Sequence, residues 1–522
     1  MIQLLATVTL GARVARIFPT KLEKLRIELE NLANEEDGLK AIGDAMRMSH
    51  VGTLDLRANS ITPKSLLGFV AAATPSRAFK HLVLKNNDLV GTKADFQYPD
   101  LAALQRLGIY VADSKIEKFT MSLINGAKLT VEKGAPTLDL TVGLPPAPLA
   151  EAEVLTPVDM LILAEIFKFG LLTAKLVILD GSPVTGSNNV PGSAAQEIDT
   201  DVVGFRAFCD GLKGSCVSEL MLRGCSLGAS ALSILTEGLP SMNTMQILNL
   251  SDNHGIGDLN ELTVDNLFQS SLTELDISSV GMTPDGIGRL ANFFKKRTRI
   301  CDTLNRLTVS STGDMQKQEV YTLEDLQHGG ERATNVVLQS KCLGSADLEL
   351  LAALLTSINS WQVHVEILNI ADNPIGIPIG GTAEVPLYSG TKAFGAALAV
   401  CYKKGHLRRI IFGQEQQHTC ECNLEPQTQT LDFANVKIGP PEAELIASII
   451  DILKPSFKSL ILSSTGNTKL KILSQKFTLS KEMEVLDLPS KGLKSVDLQV
   501  LTKFLYGIST NGSPFGQNLQ VH

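Results

Sequence analysis

The stretch MQILNLSDN, Met245–Asn253, states a pattern in nine residues. An apolar residue is followed by two variable ones, Leu248, one variable, Leu250, two variable, and then Asn253. The pattern returns along the chain. VGTLDLRAN begins at Val51, FKHLVLKNN at Phe79, VSELMLRGC at Val217 and LTELDISSV at Leu272. LNRLTVSST follows at Leu304, VEILNIADN at Val365, FKSLILSST at Phe457 and MEVLDLPSK at Met483. Weaker copies start near Leu22, Leu104, Ala135, Thr173, Ala333, Leu407 and Thr428. The usual spacing is about 26–32 residues, so each copy is one unit of an array.

The Leu-x-Leu core of each copy predicts a short parallel strand with its leucines turned inward. An Asn at the ninth place supplies an amide that bonds backbone groups where the chain turns, with Cys225 or Thr312 offering a weaker version. The remainder of each unit reads as an amphipathic helix, clearest at 227–239, 283–297, 345–358, 390–404 and 441–454. Thr62-Pro63 and Thr283-Pro284 mark helix starts, an N-cap followed by proline at the first helical position. No unit buries its apolar face alone, so the units must stack into one continuous core. The leucines are therefore read as architecture.

Helix-bearing repeats of this length resemble the ribonuclease-inhibitor-like class of leucine-rich repeats. That class also holds the Ran GTPase-activating proteins, tropomodulins, NOD-like receptors and the CARMIL actin capping-protein linkers. Residues 218–262 are most similar to the CARMIL horseshoe, where a Cys-type repeat, here Gly224-Cys225-Ser226-Leu227, precedes an L-x-L-S-D-N repeat, here Leu248 to Asn253. The resemblance implies an α/β solenoid, a curved horseshoe with parallel strands on the concave face and helices on the convex face. It further implies a cytoplasmic scaffold at the membrane–actin boundary. No residue matches a capping-protein motif, and no arginine takes the catalytic place of a GTPase activator. The expected division is a cap or partial repeat at 1–21, the solenoid at 22–515, and the truncated start of a further repeat at 516–522. On that reading the chain is a piece of a longer protein.

Composition narrows the function. With 47 basic and 55 acidic residues the formal net charge is −8, against the clustered basic excess of a nucleic-acid binder. The longest apolar stretch, 158–179, is interrupted by Asp159, Glu165, Lys168 and Lys175, so no membrane-spanning helix is expected. Eight cysteines scattered through a long chain point to free thiols in a reducing, cytoplasmic setting. Phosphate-loop, serine-hydrolase and zinc-protease motifs are absent. No cofactor and no catalytic residue are expected. His418, Cys420 and Cys422 alternate nitrogen and sulfur donors, but Cys-x-Cys departs from the usual zinc spacing, so no metal is assigned to them.

A protein partner is the expectation. Residues between the strand leucines face outward, among them Asp55 and Arg57, Glu219, Met221 and Arg223, Glu274 and Asp276, and Arg409 and Ile411. Of these Arg57, Arg223, Glu274, Asp276 and Arg409 are the candidate contacts. Insertions at 89–99, 180–196, 311–329, 376–389 and 413–429 all follow a strand and should crowd one edge as irregular loops. Basic clusters end two helices: Lys295, Lys296 and Arg297 with Arg299, and Lys403 and Lys404 with Arg408 and Arg409. Cations suit a helix C-terminus, and the same residues are candidates for an anionic partner or peripheral membrane contact.

Overall fold

A computed structural model describes residues 23–27, 36–73, 76–87, 89, 101–123, 128–141, 155–168, 173–187, 197–296, 303–324, 326, 334–356, 365–375, 389–404, 406–413, 419–434, 440–453, 458–463, 476–480, 485–486, 500–502 and 520–521. The chain packs as two compact units, 1–256 with 269–272, and 257–268 with 273–522. Arg297, Arg299, His418 and the predicted cap at 1–21 lie outside the described residues.

In the first unit, strand and helix alternate as the repeat predicts. β1 (Lys24–Arg26), α1 (Glu36–Met48), β2 (Thr53–Asp55), α2 (Pro63–Ala73), β3 (His81–Leu84), α3 (Leu101–Asp113) and β4 (Lys118–Ser122) run in order. The four strands pair in parallel, each with the next. β5 (Lys128–Glu132) then turns back antiparallel on β4. The next strands begin a separate parallel ladder: β6 (Thr137–Asp139), α4 (Pro157–Lys168), β7 (Leu176–Ile178), α5 (Val203–Leu212), β8 (Glu219–Met221), α6 (Ala229–Gly238) and β9 (Ile247–Asn249).

The second unit repeats this grammar. α7 (Glu261–Gln269), β10 (Glu274–Ile277), α8 (Pro284–Lys296) and β11 (Arg306–Ser310) are followed by a return strand, β12 (Val320–Leu323). β13 (Asn335–Val337), α9 (Ser345–Thr356), β14 (Ile367–Asn369), α10 (Ser389–Lys403) and β15 (Arg409–Phe412) end in β16 (Cys420–Asn423), again antiparallel. β17 (Thr430–Phe433), α11 (Pro440–Leu453) and β18 (Ser459–Ser463) end in antiparallel β19 (Lys476–Ser480). Short β20 (Val485–Leu486) and β21 (Gln520–Val521) pair in parallel.

The core lies between strands and helices. Leu54, Leu82, Leu220, Leu248 and Leu368, the central leucines of five copies, are fully buried. Neighbouring helices pack side by side, and small residues set their approach. A Cβ on Gly204 of α5 would stand 1.7 Å from the Pro157 carbonyl oxygen of α4, so only glycine fits there. Phe69 against Phe79 and Phe167 against Phe208 fill the gaps edge-on, each pair with ring centroids 5.9 Å apart.

Three expectations are corrected. The insertions at 311–329 and 413–429 are not irregular loops throughout, since they contain β12 and β16. In both strands burial alternates residue by residue, the two-residue period of a half-buried strand. The sheets are accordingly not all parallel. The weak copy at Leu104 is a helix, α3; Leu101, Leu104, Leu107 and Val111 are spaced for one helical face, and the strand of that unit is β4.

Candidate functional site

The turn that follows each regular strand fixes what the strand displays. At the eighth place of the pattern, Ala58, Asn86, Gly181, Gly224, Asp252, Ser279 and Asp372 all have φ between 53° and 78°. Gly, Asn and Asp adopt that left-handed conformation most readily. The ninth residue then reaches into the preceding repeat. Asn253 Nδ2 donates to the carbonyls of Leu222 and Leu250 at 2.8 Å, while its Oδ1 accepts the Leu227 N–H at 3.0 Å. Asn87 bonds the Leu56 carbonyl and Asn373 the Leu338 carbonyl in the same manner, both at 2.8 Å. Cys225 bonds more weakly than Asn, its thiol reaching the Leu179 carbonyl at 3.2 Å and the Arg223 carbonyl at 3.7 Å; burial pushes that thiol up to about 12.

Thr312 departs from this scheme. Its N–H and hydroxyl both donate to Asp347 Oδ2, at 2.8 and 2.7 Å, instead of bonding a preceding carbonyl. The same carboxylate accepts the Gly344 N–H at 2.7 Å, and its Oδ1 accepts the Tyr321 hydroxyl at 2.9 Å. Burial raises the Asp347 carboxyl above its ordinary range despite those four bonds. A carboxylate near the start of α9 thus supplies what the ninth residue lacks.

Carboxylates from a preceding turn also cap helices. Asp199 accepts the N–H groups of Gly228 and Ala231 at the start of α6. Asp258 accepts the Thr283 N–H and hydroxyl just before α8, and pairs with Arg289 at 2.8 Å. These are the favoured partners of a helix N-terminus. Sequence reading missed them because the capping residue lies 25 or more positions from the helix it serves.

The candidate contact residues stand on three sheets. Arg57, after β2, bonds Asp55 through Nε at 2.9 and 3.0 Å. Asp55 itself was expected to face outward, yet it is 1% exposed. Burial alone would raise its carboxyl, but the bonds and charge of Arg57 hold it below the usual range. Arg223, after β8, pairs with Asp252 at 2.7 Å. Glu274 and Asp276 share the outward side of β10; Glu274 pairs with Arg306 at 3.4 Å, and Asp276 accepts the Ser278 N–H and hydroxyl. Arg409 of β15 pairs with Glu421 of β16 at 2.7 Å. Arg57 and Arg223 belong to the first unit, and Glu274, Asp276 and Arg409 to the second.

The remaining candidates occupy the helix side. Lys295 and Lys296 are exposed in the last turn of α8, with Lys296 3.8 Å from Glu261. Lys403 and Lys404 are exposed at the end of α10. The sulfurs of Cys420 and Cys422 lie 3.4 Å apart and buried on β16. Among the described residues no group of three metal-binding side chains occurs, and no helix is long and apolar enough to cross a membrane.

Residues 241–259 match the family model described as Leucine Rich repeat. The matched segment takes in β9, its left-handed turn at Asp252 and the Asn253 bonds, and the left-handed turn recurs at 51–59, 79–87, 217–225 and 365–373. No curated protein matches the chain. Among solved structures, the crystal structure of a TLR13–ssRNA13 complex aligns with 99% of this chain and 59% of its own, at 13% identity and a TM-score of 0.26. The chain therefore spans less than two thirds of that neighbour's length.

Proposed function

We propose that the chain is a non-enzymatic interaction scaffold which binds a protein partner on its strand face and on the turns at one edge of that face. The supporting observation is the display itself. In most repeats the apolar residues of the strand are buried, while the residues between them stay half-buried or exposed and differ from copy to copy; Asp55, Val83, Thr120 and Thr308 are the buried exceptions. A rigid scaffold carrying varied outward positions is the usual arrangement of a binding surface.

The turns add to this reading unevenly. Residues 180–187 are tied down, with Ser182, Thr185 and Ser187 buried and the Asp199 N–H donated to Ser187. The insertion residues 188–196, 376–388 and 414–418 lie outside the described residues and enter this reading by their place in the sequence alone. The test is a pull-down with these three segments shortened, leaving Ile198 and Asp199 intact. Melting temperature should hold, because loop closure entropy changes slowly with length, while partner capture falls. Undiminished capture by a variant of unchanged melting temperature overturns the edge contact, and the Lys295–Lys296 and Lys403–Lys404 clusters then become the next candidates.

The array is read as a curved horseshoe, which small-angle scattering tests directly. A reducing, cytoplasmic location belongs to the same reading and rests on the scatter of the eight cysteines along the sequence. A place at the membrane–actin boundary, like that of CARMIL proteins, rests on the resemblance of 218–262 alone. So does the alternative of a GTPase-activating horseshoe, which a turnover assay against a panel of small GTPases would reveal.

A further inference from the structure

The strand face of β6–β9 has a composition of its own. The registers align Thr137, Leu176, Glu219 and Ile247 in one row across the four strands, and Asp139, Ile178, Met221 and Asn249 in the next. Adjacent strands lie about 4.8 Å apart, so Leu176, Ile178, Met221 and Ile247 form one cluster of half-buried apolar side chains. Carboxylates surround it: Asp139 and Glu219 within the rows, Asp180 and Asp252 at the strand ends. Of the cations there, Arg223 is spent on Asp252 at 2.7 Å, and Lys175 stands at the start of β7. Glu219 has no ion pair among the described residues. Burial, with the neighbouring Asp139 charge, holds Asp180 above the ordinary carboxylate range even though it accepts the Arg223 N–H at 2.9 Å.

The face of β1–β5 in the same unit is the opposite. There Lys24, Arg26, Arg57, Lys85, Lys118 and Lys128 outnumber Asp55 and Glu132. His81 is pushed down by burial and by Lys118 and Lys24 on either side.

We propose that the strand face of β6–β9 binds a basic, amphipathic polypeptide segment of a partner protein. Apolar side chains of the segment cover Leu176, Ile178, Met221 and Ile247, and its lysines or arginines meet Asp139, Asp180 and Glu219. Charge complementarity selects this class of partner and steers it away from β1–β5. The inference rests on the reading of the strand face as the contact surface, and names the chemistry of what meets it.

The probe is a synthetic peptide of lysine and leucine at helical spacing, set against a glutamate–leucine peptide of identical apolar spacing, both titrated into the full chain. The face variant is Asp139→Asn, Asp180→Asn and Glu219→Gln; the amides keep the oxygens that accept from Thr141 and Arg223. A helix-side variant of equal charge change, Asp210→Asn, Glu237→Gln and Glu261→Gln, controls for net charge. The lysine peptide should bind at least about tenfold tighter than the glutamate peptide, lose about tenfold in the face variant, and weaken as salt rises. Equal losses in the two variants, or no preference between the peptides, overturn the proposal. With a purified natural partner, hydrogen exchange separates the two readings. Protection of β6–β9 that is indifferent to the face variant sinks only the choice of a basic partner. Protection confined to the helices sinks the strand-face reading and this inference with it.

Discussion

The units at 245–269 and 304–323 begin with the same apolar rhythm and end differently. After β9 the chain turns at left-handed Asp252, Asn253 ties it to the preceding repeat, and α7 follows. After β11 the eighth residue, Ser311, is not left-handed; its N–H donates to the Glu319 carbonyl, and the chain doubles back as β12. The apolar rhythm specifies a strand and nothing more, and the turn decides where the chain goes next. Val280 sharpens the point. It occupies the ninth place without a polar group, yet Ser279 before it is left-handed and the regular turn to α8 forms. The eighth residue's conformation therefore weighs more than the ninth residue's amide.

The largest expected effect falls on what both kinds of unit share. Leu248→Ala empties a fully buried site and should cost about 2–5 kcal/mol. Because units contact chiefly their neighbours, hydrogen exchange should quicken first around β8 and β9; a uniform rise across all repeats would contradict the stacked-unit picture.

Next come the ninth-place residues. Asn253→Ala strands the carbonyls of Leu222 and Leu250 and the Leu227 N–H, and should cost about 2–3 kcal/mol. Cys225→Ala removes only weak thiol bonds and should cost about 1 kcal/mol. Equal losses in chemical denaturation would mean that the amide contributes no more than the thiol.

The hairpin unit offers a pH signature. Asp347 has its carboxyl raised by burial, so the folded state favours the protonated form more than the unfolded chain does. Stability drawn from this residue is present at acid pH and declines as pH climbs from the ordinary carboxylate value through the raised one. Asp347→Asn should flatten that decline in a series of melting curves, and a slope unchanged by the substitution would refute the assignment. Tyr321→Phe, which removes the hydroxyl donor to Asp347, should cost about 1 kcal/mol in the same series.

The smallest effect tests the turn. Gly224, with φ of 63°, should lose about 1 kcal/mol on change to Ala. At the homologous Ala58 the reverse change, to Gly, should gain a few tenths of that size, offset by entropy in the unfolded chain. Denaturation midpoints that move in the same direction at both sites would break the claim that the eighth residue bears strain.

Strand positions were legible because burial at Leu54, Leu82, Leu220, Leu248 and Leu368 follows directly from a two-residue alternation. The helices at 284–296 and 345–356 were legible through their apolar faces and, at Thr283, a cap. The return strands were not, since VYTL and CECN are too short for their period to stand out from a loop. Asp55 was misplaced because alternation predicts direction but not the guanidinium that folds over it. The cluster of Leu176, Ile178, Met221 and Ile247 depends on cross-strand register, which no single repeat reveals, and the caps from Asp199 and Asp258 depend on neighbours distant in the chain.

Among the described residues the sheet ladder is interrupted between β5 and β6, between β12 and β13, between β16 and β17, and between β19 and β20. Under tension such a chain has built-in fuses. Drawn out in an optical trap, it should yield in discrete extensions whose borders fall at these gaps, with strand-to-strand shear resisting inside each block and no strand pairing across the seams; the seam between β12 and β13, bridged by the Thr312 and Tyr321 bonds to Asp347, should yield after the one between β5 and β6. A tether that paid out smoothly, or broke within 217–253, would place its weakest points elsewhere.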